Sequence, residues 1–278
     1  MDRRMNSAPR AGIQLARKKQ ILIFNLDPGR AEREQKAYDE EGVWHRSHAW
    51  HYRFRHVFES PNTQRYEKLF FEVIRENSFQ KQVLEIGCGD GIVAERISKY
   101  GAAYIMGIDL SKEFIADAKP REVPERLEFV QGNASDPIGK KFDLVFGRSI
   151  LHHIDYRMTL AMLYNDNLNP GGLMIFMEPL GSNPIIKFYH LISNVHTPDE
   201  KSFERADLRW LGENFVGFAM YPINLISFPL ALVSTFFFST ADNALLRLSD
   251  KLDVWISARF RFLTPYFRHS ILIIRKST

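Results

Sequence analysis

Cysteine is almost missing from this chain. With only Cys88 present, no disulfide can form within the chain, which fits a reducing, cytoplasmic compartment. Internal repeats are missing too. A signal-peptide order is lacking at the N-terminus, because the first apolar run, Ile21 to Leu26, is too short and comes too late. Charge of one sign is in only mild excess, +4 over 278 residues. That excess is local: Arg3, Arg4, Arg10, Arg17, Lys18 and Lys19 face only Asp2 within residues 1–20. Such a terminus reads as a solvated arm. What the chain does have is apolar material, 45% of its residues, enough for a sizeable core with appendages.

The chemistry concentrates in Val83-Leu84-Glu85-Ile86-Gly87-Cys88-Gly89-Asp90-Gly91. Val83 to Ile86 reads as a short buried strand, and Ile92 to Ile97 resumes at helical period. Strand, glycine turn and helix form the element that brings backbone against a nucleotide. Glycine suits the turn because it takes positive φ and has no Cβ to block a ligand. A dinucleotide fingerprint would need glycine at position 92, where isoleucine stands. The pattern present is Glu85-x-Gly87-x-Gly89-x-Gly91, and it resembles motif I of the class I S-adenosylmethionine-dependent methyltransferases.

Four further segments follow in that family's order. Tyr104 to Leu110 reads as a second strand ending at Asp109, about twenty residues beyond the glycines, where this architecture sets a carboxylate on ribose hydroxyls. A carboxylate only accepts, and a vicinal diol offers two donors. Ser111 follows as a helix N-cap. The third strand, Leu127 to Gln131, leads to Asn133-Ala134, where the family usually has an acid and a small residue at the adenine. The fourth, Phe142 to Phe146, opens onto Gly147-Arg148-Ser149-Ile150-Leu151-His152-His153-Ile154, which resembles the small-molecule branch. The fifth unit turns at Pro170-Gly171-Gly172 and carries Glu178 toward the crevice.

The resemblance implies an α/β, Rossmann-like, doubly wound sheet of seven mostly parallel strands, with the last strand antiparallel. It implies S-adenosyl-L-methionine as cofactor, held by Glu85, Gly87, Cys88, Gly89, Gly91, Asp109, Leu110, Asn133, Ala134 and Arg148. His153 is the first candidate for a catalytic base and His152 the second, since imidazole titrates near neutrality. Histidines at this position also serve as helix-start hydrogen-bonding groups, the structural alternative. Tyr38, Trp44 and Glu178 are the expected substrate contacts. His45, His48 and His51 recur three apart. No cysteine joins them, so residues 31–60 are read as a helical cap rather than a metal site. Within that cap Tyr38, Trp44 and Tyr52 are placed to face a sulfonium, and Arg53 or Arg55 a carboxylate.

The last third departs from a minimal enzyme of this class. Residues 214–241 contain no charged side chain, and Pro222 and Pro229 interrupt the run. Residues 214–220 are expected to form the sixth strand. Three units result: residues 1–60 as arm and cap, 61–221 with 267–278 as core, and 222–266 as a helical insertion or lid before the last strand. The insertion implies an apolar or lipid-linked acceptor, with peripheral contact at the inner face of a membrane as an accompanying expectation. Two other functions stay open: a nucleic-acid methyltransferase and a non-catalytic cofactor-binding protein. Against the first, Gly147-Arg148-Ser149-Ile150 stands where enzymes of base amino groups carry Asn/Asp-Pro-Pro-aromatic.

Overall fold

The computed structural model describes residues 27, 29–40, 51–192, 197 and 199–278. Trp44, His45 and His48 lie outside the described residues, as do residues 1–26.

Helix α1 (Arg30–Asp39) comes first, followed by the short α2 (Arg55–Glu59). Helix α3 (Pro61–Ser78) starts where its sequence dictates: Ser60 accepts from the Thr63 N–H, and Pro61 occupies the first helical position. Tyr66, Phe70 and Ile74, at four-residue spacing, are buried along one face of it. Burial of each such side chain contributes about 1.5–3 kcal/mol.

Strands β1 (Gln82–Ile86), β2 (Tyr104–Asp109), β3 (Leu127–Gln131), β4 (Phe142–Arg148), β5 (Leu168–Pro179), β6 (Phe218–Ile223) and β7 (His269–Arg275) form one sheet in the order β3-β2-β1-β4-β5-β7-β6. All pairings are parallel except those of β7 with β5 and β6. This is the sheet expected from the sequence. Helices α4 (Ile92–Ser98), α5 (Lys112–Ala118), α6 (Tyr156–Met162), α7 (Pro184–Ile192) and α8 (Arg205–Asn214) make the connections. Alternation along each strand sends Val83, Leu144 and Ile175 to the face covered by α3 and α4. Leu84, Val145 and Phe176 go to the face under α6 and α8. Both faces are therefore covered, as a parallel sheet requires. After β3 the chain crosses back to β4 beside β1, so the crevice opens at the C-terminal ends of β1 and β4.

The sixth strand begins four residues later than expected. Helix α8 runs to Asn214, and Gly217 then passes close to β7, where an added Cβ would lie 2.3 Å from the Arg275 carbonyl oxygen. Helices α9 (Ser227–Phe237) and α10 (Ala244–Arg259) fill the space between β6 and β7. They pack on α2 through an apolar cluster of Val57, Phe228, Ala231 and Leu246, which Ile186 of α7 joins, and α10 also contacts α3.

Candidate functional site

The glycine turn is tied to β2. Gly87 N–H and Cys88 N–H both donate to the Ile108 carbonyl, at 2.8 and 3.1 Å. Gly89 N–H donates to Asp109 Oδ2 at 2.8 Å. All three glycines have positive φ, but their surroundings differ. A Cβ on Gly87 would strike Ile150, and one on Gly91 would strike Phe129. A Cβ on Gly89 would meet nothing within 4 Å. The first and third glycines thus close the turn against the core, while the second borders open space. Asp109 stands beside that space, its other oxygen accepting the Ser111 N–H at 2.9 Å. Burial raises its pKa, and the Ser111 and Gly89 N–H groups oppose the rise. Two accepted N–H bonds leave lone pairs on both oxygens for a diol. An open backbone cradle beside a lone-pair-rich carboxylate fits the adenosine half of S-adenosylmethionine.

Several residues expected at the cofactor sit elsewhere. Glu85 is buried beneath the turn against the Ala94 N–H, and burial raises its pKa well above the carboxylate range. Its Oε2 has no hydrogen-bond partner among the described residues. Glu85 therefore supports the turn from below. Cys88 is buried, which pushes its thiol pKa up and keeps it protonated. Arg148 is drawn outward into an ion pair with Glu67 of α3 at 2.9 Å. Asn133 Oδ1 accepts the Ser135 N–H at 2.9 Å, closing its own turn. Leu110 and Ala134 directly follow Asp109 and Asn133, and Ala134 is buried. Tyr52, expected over the ligand, is 82% exposed. Arg55 donates to the Ser239 carbonyl, and Arg53 lies over the Phe54 ring.

The second half of the site is built on Glu178, at the end of β5. It is fully buried, and both its oxygens are engaged by the chain: Oε1 takes the Ile150 and Leu151 N–H groups at 3.0 Å each, and Oε2 meets His152 Nδ1 at 2.7 Å. Glu178 thus holds the segment after β4 in place, and the substrate contact expected of it is closed off. Burial opposes charge on His152, but the Glu178 carboxylate outweighs it and the pKa is raised. The neighbouring ring behaves in the opposite way. Burial and then the charge of His152 lower the pKa of His153. His153 Nδ1 faces Glu34 Oε2 at 3.1 Å and the Thr197 hydroxyl at 3.3 Å, while Nε2 faces the Tyr38 hydroxyl at 3.2 Å. With Glu34 accepting the Nδ1 proton, Nε2 is the basic nitrogen. His152, His153 and Glu200 also bring one ligand atom each within 4.8 Å of one another, a grouping able to hold a metal ion. Here three of the ring nitrogens face Glu178, Glu34 and Tyr38, and His152 Nε2 lies 3.8 Å from Glu200 Oε1.

Glu34 and Thr197 carried no sequence signal of their own. The available clue is the four-residue spacing of Arg30, Glu34 and Tyr38, which makes one face of α1. Arg30 donates to the His152 and Asp199 carbonyls at 3.3 and 2.9 Å. At the other end of α1, Asp39 accepts from the Ser111 hydroxyl. Helix α1 thus bridges the crevice from the Asp109 turn to the histidines.

Residues 84–176 match a family model described as a methyltransferase domain. That region is a methyltransferase domain of the class I, S-adenosylmethionine-dependent kind. The ubiquinone biosynthesis O-methyltransferase of Aliivibrio fischeri is 33% identical over 40% of this chain and 48% of its own length. That of Shewanella halifaxensis is 25% identical over 63% and 82%. The methyltransferase spans about half the length of most of the curated relatives it matches. Phosphoethanolamine N-methyltransferase 2 of Haemonchus contortus, solved with S-adenosyl-L-methionine, shares the fold at a TM-score of 0.57 and 19% identity, over 91% of this chain and 61% of that one. Magnesium protoporphyrin IX methyltransferase of Synechocystis does so at 0.52 and 15%, over 88% and 98%.

In this methyltransferase, Asp109→Ala removes the acceptor of two backbone N–H groups and the proposed ribose partner. Each hydrogen bond to a charged group contributes about 1.5–3 kcal/mol, so cofactor affinity is expected to fall about ten-fold or more. Calorimetric titration of a folded Asp109→Ala protein checks this. Unchanged affinity would remove Asp109 from the site.

Proposed function

We propose that the chain transfers the methyl group of S-adenosylmethionine to a hydroxyl of a small, apolar or lipid-linked acceptor, with His153 receiving the acceptor's proton. The observation that carries this reading is the buried neutral His153, fixed at Nδ1 by Glu34 and presenting Nε2 to Tyr38. When bound, the cofactor supplies an electrophilic methyl on a sulfonium. The residues of the chain position the partners and manage the proton. The backbone at Gly89 and the Asp109 carboxylate are proposed to hold the adenosine half. Tyr38 passes or orients the proton at Nε2, and α1 excludes water above the histidines. Burial, and then His152 held by Glu178, favour the neutral form of His153.

The relatives that act in ubiquinone biosynthesis support an apolar acceptor. Phe58 of α2 and Phe228 of the 222–266 insertion lie by the Arg268 guanidinium at 5.0 and 5.6 Å, at the end of the sheet where β7 begins beside Pro179 of β5. Among the described residues no helix is long and apolar enough to cross a membrane. A lipid-linked acceptor would then be met at a bilayer surface, and the single cysteine fits the cytoplasmic side. Methyl-labelled S-adenosylmethionine tests the reading with three acceptors: a phenol carrying an isoprenoid tail, phosphoethanolamine and duplex DNA. Label is expected in the phenol. Label in DNA alone would support the nucleic-acid reading. Cofactor binding with no transfer to any acceptor would support the non-catalytic one.

A further inference from the structure

We propose that the outward face of α9 and α10 docks on an anionic membrane surface. The proposal rests on the apolar-acceptor reading for its purpose, while its geometry is independent of catalysis. Both helices bury polar groups beside their apolar contacts and leave large apolar side chains exposed. The buried side of α9 is Ser227, Phe228, Ala231 and Ser234. The buried side of α10 is Leu246, Ser249 and Asp253. The polar groups there are paired internally. Asp253 accepts from the Leu225, Ile226 and Ser227 N–H groups, from the Ser227 hydroxyl at 2.6 Å and from Asn62 at 3.0 Å. Ser234 meets His56 and Asn243.

Several large apolar side chains of the two helices are exposed. Phe236 is 65% exposed, Phe237 77%, Leu248 58% and Trp255 58%. On α10 the positions opposite Leu246, Ser249 and Asp253 are Leu248, Lys251, Trp255 and Ala258, one stripe at helical spacing. Exposed Leu248 and Trp255 flanking a lysine, with Phe236 and Phe237 exposed nearby in sequence, make the pattern of an element that meets lipid. Charge chooses the kind of lipid. Between Ala244 and Phe262, Asp253 is buried and Asp250 is paired with Arg65. Lys251, Arg259 and Arg261 are exposed cations on long apolar stems, able to reach headgroups while the stems lie in the interface.

The test is flotation of the full chain with phosphatidylcholine vesicles, with and without phosphatidylglycerol, alongside S-adenosylmethionine titration of every variant. Wild type is expected to float with the anionic vesicles. The pairs Phe236→Ser with Phe237→Ser, and Arg259→Glu with Arg261→Glu, are each expected to lower partitioning roughly ten-fold or more with cofactor affinity unchanged. Quenching of tryptophan emission by brominated lipid is expected to diminish in Trp255→Phe. Wild type that floats with neither vesicle, or variants that float as wild type does, would overturn the proposal. So would a dimer that Phe236→Ser dissociates and that ignores vesicles, since a second copy would then own the face. Loss of cofactor binding in a wild type that still floats would fault the methyl-transfer reading and leave the docking surface standing.

Discussion

His153→Ala is expected to lower turnover about 10²–10⁴-fold, the range of a lost general base, and to leave S-adenosylmethionine affinity nearly unchanged. The split follows from placement. The cofactor cradle is built from β1 and β2, whereas His153 stands after β4 among Glu34, Thr197 and Tyr38. Tyr38→Phe is expected to have a smaller effect, because Nε2 stays in place and loses only its hydroxyl partner. His152→Ala should be milder on the chemical step than His153→Ala. The pH profile carries an independent signature. A base must be neutral, and His153 is held below its ordinary value of about 6.5 by burial and by His152. Turnover should therefore hold from neutrality to below that value and decline only as the lowered pKa is crossed. Wild-type turnover in the folded His153→Ala protein, or a decline that begins above it, would make the segment purely structural.

Glu178→Ala is expected to cost about 3–5 kcal/mol of unfolding free energy, the range for breaking a buried charge pair. The reason is local. The substitution leaves the Ile150 and Leu151 N–H groups without their acceptor and strips His152 of its counter-charge. Glu178→Gln keeps an acceptor for the two N–H groups and should cost less. In that variant the largest opposition to burial is gone and only the more distant Glu200 and Glu34 charges remain, so the His152 pKa should fall from its value in the intact protein, which an NMR titration reads directly. The raised pKa of His152 in the intact protein gives linkage of one sign: its stabilisation is fully present below the unfolded value and is lost as pH rises through the folded one. His153 gives the other sign: its contribution is present above the unfolded value and is lost as pH falls. Urea unfolding across this range checks both, and a pH-independent midpoint would contradict them.

The cofactor half of the site was largely legible in the sequence, because its determinants are local. Gly87, Gly89, Gly91 and Asp109 are separated by spacings that a strand, a turn and a helix fix among themselves. The acceptor half was legible only as a pair of histidines. Their partners come from α1, from Thr197 and from the end of β5, and no short spacing encodes a contact between residues 34 and 153. The sequence places Glu178 at the C-terminal end of β5, but which groups claim its oxygens depends on the backbone of Ile150 and Leu151. Arg148 was misassigned for a related reason: Glu67 lies on α3, and an ion pair across elements leaves no local trace. The uncharged stretch of residues 214–241 was visible at once. Its division into a helix end, a strand and a helix with its serines turned inward required the tertiary structure.

The central claim is that the Gly87–Gly91 turn and Asp109 form an S-adenosylmethionine site. Equilibrium dialysis of the full chain against labelled S-adenosylmethionine tests it most directly. The account predicts saturable, equimolar binding that S-adenosylhomocysteine displaces and that Asp109→Ala weakens about ten-fold or more. A folded protein that retains no label, or one whose binding is indifferent to Asp109→Ala, would contradict it.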